Sequence, residues 1–156
     1  MYPKQHLFLG AIFATALFLL FPKIGFLGAS LVLISSILID IDHYLYYVYK
    51  KRDFNLKNAY FWIIGNGKAM CSLPKNKRNQ CYMEFFFLHG IEILLILFLL
   101  IKFSNYFLFI FAGVSFHLIL DITHQTTYVD RIDRFSVIYD FFKYKKLTQL
   151  ERGKNI

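Results

Sequence analysis

The chain has two cysteines in 156 residues, Cys71 and Cys81, and they form no CxxC pair. A zinc ribbon or a disulfide framework is therefore not expected, and both thiols are read as reduced. No glycine-rich phosphate loop, internal repeat or coiled-coil heptad occurs, which removes the usual sequence signs of nucleotide binding and of solenoid or fibrous architecture. Charge is absent from four apolar runs, residues 7–21, 24–39, 85–101 and 106–122, except for a few acidic groups and histidines. No Lys or Arg lies inside any of them.

The composition is 57% hydrophobic and 20% aromatic. That is more apolar than a water-soluble domain needs, and it points to a membrane protein. A spanning segment must satisfy its backbone internally, and runs without period-2 alternation favour helices over barrel strands. The expected fold is an all-α integral membrane bundle of four transmembrane helices, over about residues 7–22, 24–45, 84–101 and 106–126. Links of a few residues join the helices into two antiparallel hairpins. A cytoplasmic loop over about 50–83 separates the hairpins, the membrane domain covers 1–130, and a basic amphipathic tail covers 131–156. Residues 7–21 also fit a secretory apolar region, although apolar sequence resumes through Ile39.

Of the 18 Lys and Arg, only Lys23 and Lys102 fall in the short links. Both termini and the long loop are thus expected on the cytoplasmic side of the cell membrane. The net charge of +8 is read as topology and contact with anionic lipid head groups, and nucleic acid is not an expected partner. "AYFWII", Ala59 to Ile64, is expected at the interface, with Trp62 suited to that depth. In the tail, Ile132, Phe135, Ile138 or Tyr139, and Phe142 recur at helical intervals among basic residues, as in a helix lying on a membrane surface.

All five histidines, His6, His43, His89, His117 and His124, lie in or at the ends of the expected spans. In "HLILDITH" the residues His117, Asp121 and His124 fall within about 60° of one another on a helix. "DIDH" adds Asp40, Asp42 and His43, and "HGIE" adds His89 and Glu92. With the topology above, every helix brings its polar group to the same leaflet. An interfacial His6, an ordinary polar helix end at "DIDH" and a hydrogen-bonded seam in "HLILDITH" are the bland readings of the separate motifs. Together they are harder to dismiss. An aspartate at mid-bilayer costs about 2.5–3.5 kcal/mol on insertion scales, and no intramembrane cation neutralises these carboxylates.

A divalent metal would do so, and mixed histidine and carboxylate donors suit zinc first, then manganese or iron. His43, His89, His117 and Asp121, helped by Asp40, form the expected ligand set. His6 and Asp42 are further ligands, or groups that orient them. Glu92, one helical turn from His89, is the candidate general base. The expected activity is hydrolysis of an ester or phosphoester, in a lipid or lipid-linked substrate reached from the cytoplasmic leaflet. A non-enzymatic metal-binding protein and a purely structural four-helix scaffold are the alternatives. No role is assigned to His124, Cys71 or Cys81, and the oligomeric state is not read from the sequence.

"HLFLG" near the N-terminus, "DIDH" and "HLILD" resemble, in order and spacing, the membrane-bound metal-dependent hydrolases of the YdjM-like type. The resemblance implies metal ligation by His6, Asp40, Asp42, His43, His117 and Asp121. Ile39 stands where that group usually has proline. "FFFLHGIE" stands where it tends to have an arginine followed by a Thr-His-Ser motif.

Overall fold

The computed structural model describes residues 3–133 and 135–149, with backbone only at 148 and 149. Of the expected tail, Arg134 and residues 150–156 lie outside the described residues. Among the described residues the regular structure is helical apart from one short parallel pairing. Its elements are α1 (Pro3–Leu20), a 3₁₀ turn (Pro22–Ile24), α2 (Gly25–Leu38), α3 (Ile41–Lys51), α4 (Leu56–Ser72) and α5 (Lys75–Arg78). There follow β1 (Cys81–Tyr82), α6 (Ile91–Leu100), α7 (Tyr106–His124), a π-helical extension (Gln125–Val129), α8 (Val137–Lys146) and β2 (Thr148–Gln149), which pairs with β1.

Three helical stretches are long and apolar enough to cross a membrane: Pro3–Leu20, Pro22–Lys51 and Tyr106–Val129. A fourth apolar helix, Ile91–Leu100, is shorter. The expected third span thus loses its first half: residues 83–90 are not helical. Non-helical backbone at such depth is tolerated where protein buries it and satisfies its polar groups, and the Leu88 N–H donates to the Asp42 carboxylate at 3.0 Å. The expected loop is also largely structured. "AYFWII" lies in α4, which starts at an Asn55 cap accepting from the Lys57 and Asn58 N–H groups. Trp62 packs its ring against Tyr46 and Tyr47.

Small residues set the helix spacing. A Cβ on Gly113 of α7 would come within 2.3 Å of the Val32 carbonyl oxygen in α2, and one on Gly10 of α1 within 2.5 Å of Ser36 Oγ. Only glycine permits these approaches, so α2 sits close against both α1 and α7. Ile39, Val114 and Leu118 form a buried core, with Leu88, Ile93 and Leu97 packed around it. Outward positions such as Phe8, Phe26 and Phe103 remain exposed, as lipid-facing residues would be. In α8, Ile138, Tyr139 and Phe142 are exposed beside Lys145 and Lys146, the distribution expected of a surface-lying helix.

Candidate metal centre

The cluster begins where α2 ends. Asp40 N–H bonds back to Ile37 O at 3.1 Å, so the chain leaves the α-helical pattern and the Ser36 carbonyl loses its helical donor. His117 takes that place: its Nδ1 lies 2.7 Å from Ser36 O. A carbonyl can only accept, so Nδ1 carries the proton and Nε2 presents a lone pair. His89 is held the same way, with Nδ1 2.9 Å from Asp42 Oδ2, so that in its neutral form Nε2 presents a second lone pair.

These two Nε2 atoms face each other at 3.2 Å. Around them lie Asp40 Oδ1, 3.5 Å from each, and Asp121 Oδ2, 3.8 Å from His89 and 3.9 Å from His117. His43 Nε2 joins at 3.3 Å from Asp40 Oδ1. His6 reaches Asp121 Oδ1 at 3.0 Å. The potential ligand atoms form three overlapping groups, His6/Asp40/His117, Asp40/His43/His89 and His89/His117/Asp121, with the atoms of each within 4.8 Å of one another.

His6, Asp42, His89, His117 and Asp121 are all buried. Among the described residues, the carboxylates of this cluster pair with histidines and with no Lys or Arg side chain. With both rings neutral the two Nε2 lone pairs at 3.2 Å repel, a conflict that a proton or a metal ion between them relieves, and buried carboxylates are costly without such a charge. A positive charge between them answers both problems, and nitrogen with carboxylate oxygen is the donor set of a zinc, manganese or iron site. The residues present fit a metal ion.

The structure therefore brings together His6, Asp40, His43, His89, His117 and Asp121 from α1, the α2–α3 junction, the segment before α6, and α7. Asp42 is not in the converging groups. It bonds His89 Nδ1 and the Leu88 N–H, and so orients a ligand. Glu92 is not among them either. Its carboxylate accepts from Ser136 Oγ at 2.6 Å, Val137 N at 2.9 Å and Ile138 N at 3.3 Å, capping the start of α8. That role differs from the general base expected from the sequence, and its cause is tertiary: α8 folds back onto the start of α6, where Ile91 N also bonds Phe135 O.

Sequence reasoning missed Glu84. It is buried, its Oε1 accepts from Asn66 Nδ2 at 3.0 Å, and its Oε2 lies 3.7 Å from His43 Nδ1. At the start of the expected third span its position alone suggests a solvated carboxylate, and the packing of Asn66 from α4 buries it. Beside His43 and Glu84 lies a cavity of about 450 Å³ walled by α4, β1 and the π-helical extension of α7. His124 lines this cavity and packs at a tilt against Tyr128, with ring centroids 4.9 Å apart. Cys71 and Cys81 are unpaired. The chain matches no family model, no curated protein and no solved structure.

Proposed function

We propose that this chain is a membrane-embedded metal-dependent hydrolase acting on an ester or phosphoester at the cytoplasmic leaflet, as its resemblance to the YdjM-like hydrolases implies. The observation that carries the metal centre is the opposition of His89 Nε2 and His117 Nε2 at 3.2 Å, each aimed inward because its Nδ1 is committed to Asp42 or Ser36. The outer halves of the helices offer few polar groups, which favours a one-sided site over a conducting path. Ile91–Leu100 completes a four-helix bundle, entered from the side of the long loop.

In this reading Asp40, His43, His89, His117 and Asp121 hold the ion, zinc by the balance of donors, with manganese or iron as substitutes. Asp42 and Ser36 fix the imidazole orientations, and His6 positions Asp121. A bound divalent ion supplies Lewis acidity, polarising a carbonyl or phosphoryl oxygen and acidifying water. The cavity beside His43 admits the substrate, and the apolar helix faces keep bulk water from the cluster.

Elemental analysis of the purified chain tests the first half: about one or two divalent ions per chain are expected, falling in His117→Ala. A chain that copurifies with no metal and gains none on titration is a scaffold, and the proposal is then wrong. Hydrolysis of lipid esters and phosphodiesters, measured with and without a chelator, separates an enzyme from a metal-stapled bundle.

A further inference from the structure

The cavity beside the cluster is lined by two side chains that each keep one buried polar atom without a hydrogen bond. Gln125 begins the π-helical stretch, a deviation found often at functional sites. Its Oε1 accepts from Asp133 N–H at 2.6 Å, which fixes the amide so that Nε2 is a donor, and that Nε2 is buried with no hydrogen-bond partner. The Asn66 amide occupies Glu84 Oε1, and Glu84 Oε2 is a buried acceptor that makes no hydrogen bond, with His43 Nδ1 3.7 Å away. Both side chains line the cavity and both residues are more than nine-tenths buried. Orphaned buried donors and acceptors are rare, because each costs about 1–3 kcal/mol.

The rest of the wall is mostly apolar, with Ile63, Ile64, Met70, Met83 and Val129 contributing. A volume of about 450 Å³ lies within the range of ligand sites and well above a packing void. An occupant that satisfies the wall needs an apolar body, a hydroxyl hydrogen for Glu84 and an oxygen acceptor for Gln125. Glu84 and Asp133 share the wall with Lys68, His43 and His124, so neither sign of charge dominates and a neutral head fits.

We infer that this cavity is a binding site for a neutral monoacyl ester bearing a free hydroxyl, of the monoacylglycerol class. The ester oxygen meets Gln125 Nε2, the hydroxyl meets Glu84 Oε2, and the acyl chain lies along α4. Calling this molecule the substrate rests on the hydrolase reading above; its binding does not.

Gly67 makes the test clean. It lines the cavity from α4, and a Cβ there would meet nothing within 4 Å, so Gly67→Phe adds bulk at the cavity wall without replacing either polar group. The probe is 1-decanoylglycerol, bound to the full chain stripped of metal and read by native mass spectrometry from nanodiscs. Glu84→Leu is expected to weaken binding about ten-fold or more, the scale of an unmade buried hydrogen bond, and Gly67→Phe, by occupying the space, about as much. Methyl decanoate, which lacks the hydroxyl, binds the native chain correspondingly worse, and glycerol alone does not bind. Equal binding of the two esters, or native-like binding by Gly67→Phe, overturns the inference. A metal-loaded chain that does not bind 1-decanoylglycerol refutes this site alone, whereas binding by a chain with no affinity for metal refutes the metalloenzyme alone.

Discussion

His6 lies flat against His117, with ring centroids 4.0 Å apart and planes 13° from parallel, while its Nε2 bonds Asp121. The first turn of α1 is thus stacked on one histidine of the cluster and hydrogen-bonded to the carboxylate beside it. His6→Phe keeps the stack and removes the bond. Metal affinity in that variant should fall about ten-fold, the lower end for loss of an orienting group, with thermal stability nearly unchanged. Chelator competition together with a melting curve measures both.

Asp42 acts through His89. Asp42→Asn can still accept from Leu88 N–H but no longer fixes the imidazole with a charge, so metal affinity should drop by about ten- to a hundred-fold while stoichiometry at saturation is kept. His117→Ala, in contrast, should lower the stoichiometry. Identical affinities in Asp42→Asn and the native chain would show that Asp42 is only a packing group.

Glu92 caps α8, so Glu92→Ala should leave metal content unchanged and loosen that helix by about 1 kcal/mol, as for other lost caps. Hydrogen exchange at Val137, Ile138 and Tyr139 reads the change directly. A loss of metal with unchanged exchange would return Glu92 to the site.

Gly113 and Gly67 make a matched pair. Gly113→Val must push α7 away from the Val32 carbonyl of α2, and overpacking of this kind costs about 1–3 kcal/mol. Gly67→Ala enters open space in the middle of α4 and should stabilise by up to about 1 kcal/mol through helix propensity. Thermal unfolding in detergent should move in opposite directions for the two.

Asp53 holds the α3–α4 corner. The Tyr47 hydroxyl, the Asn58 amide and the Asn55 N–H all donate to its carboxylate, and they hold its pKa below the ordinary 3.8. A lowered folded-state pKa means that the contribution to stability is complete above the unfolded value, near 3.9, and is lost as pH falls through the folded one. Trp62, the only tryptophan, packs against Tyr47 with ring centroids 5.5 Å apart. Its fluorescence should report an acid step that is missing in Asp53→Asn, whose corner is already looser at neutral pH.

Apolar runs free of Lys and Arg leave the backbone no partner but itself, so helices at Pro3–Leu20, Pro22–Lys51 and Tyr106–Val129 follow from the amino acids alone. So do the donor types and their placement near chain positions that short links bring to one end. What the sequence left open is which side of each short motif faces inward. Asp40 and Asp42 are two residues apart in one motif, yet one joins the cluster and the other grips the back of His89, because α2 breaks between Leu38 and Ile41. His89 enters on a non-helical, bent segment that helical periodicity does not describe, Glu92 is diverted by α8, and Glu84 and Gln125 acquire meaning only when α4 closes over them. Local hydropathy is a sum over neighbours in the chain, whereas a ligand sphere and a cavity wall depend on groups tens of residues apart, and only packing fixes those distances.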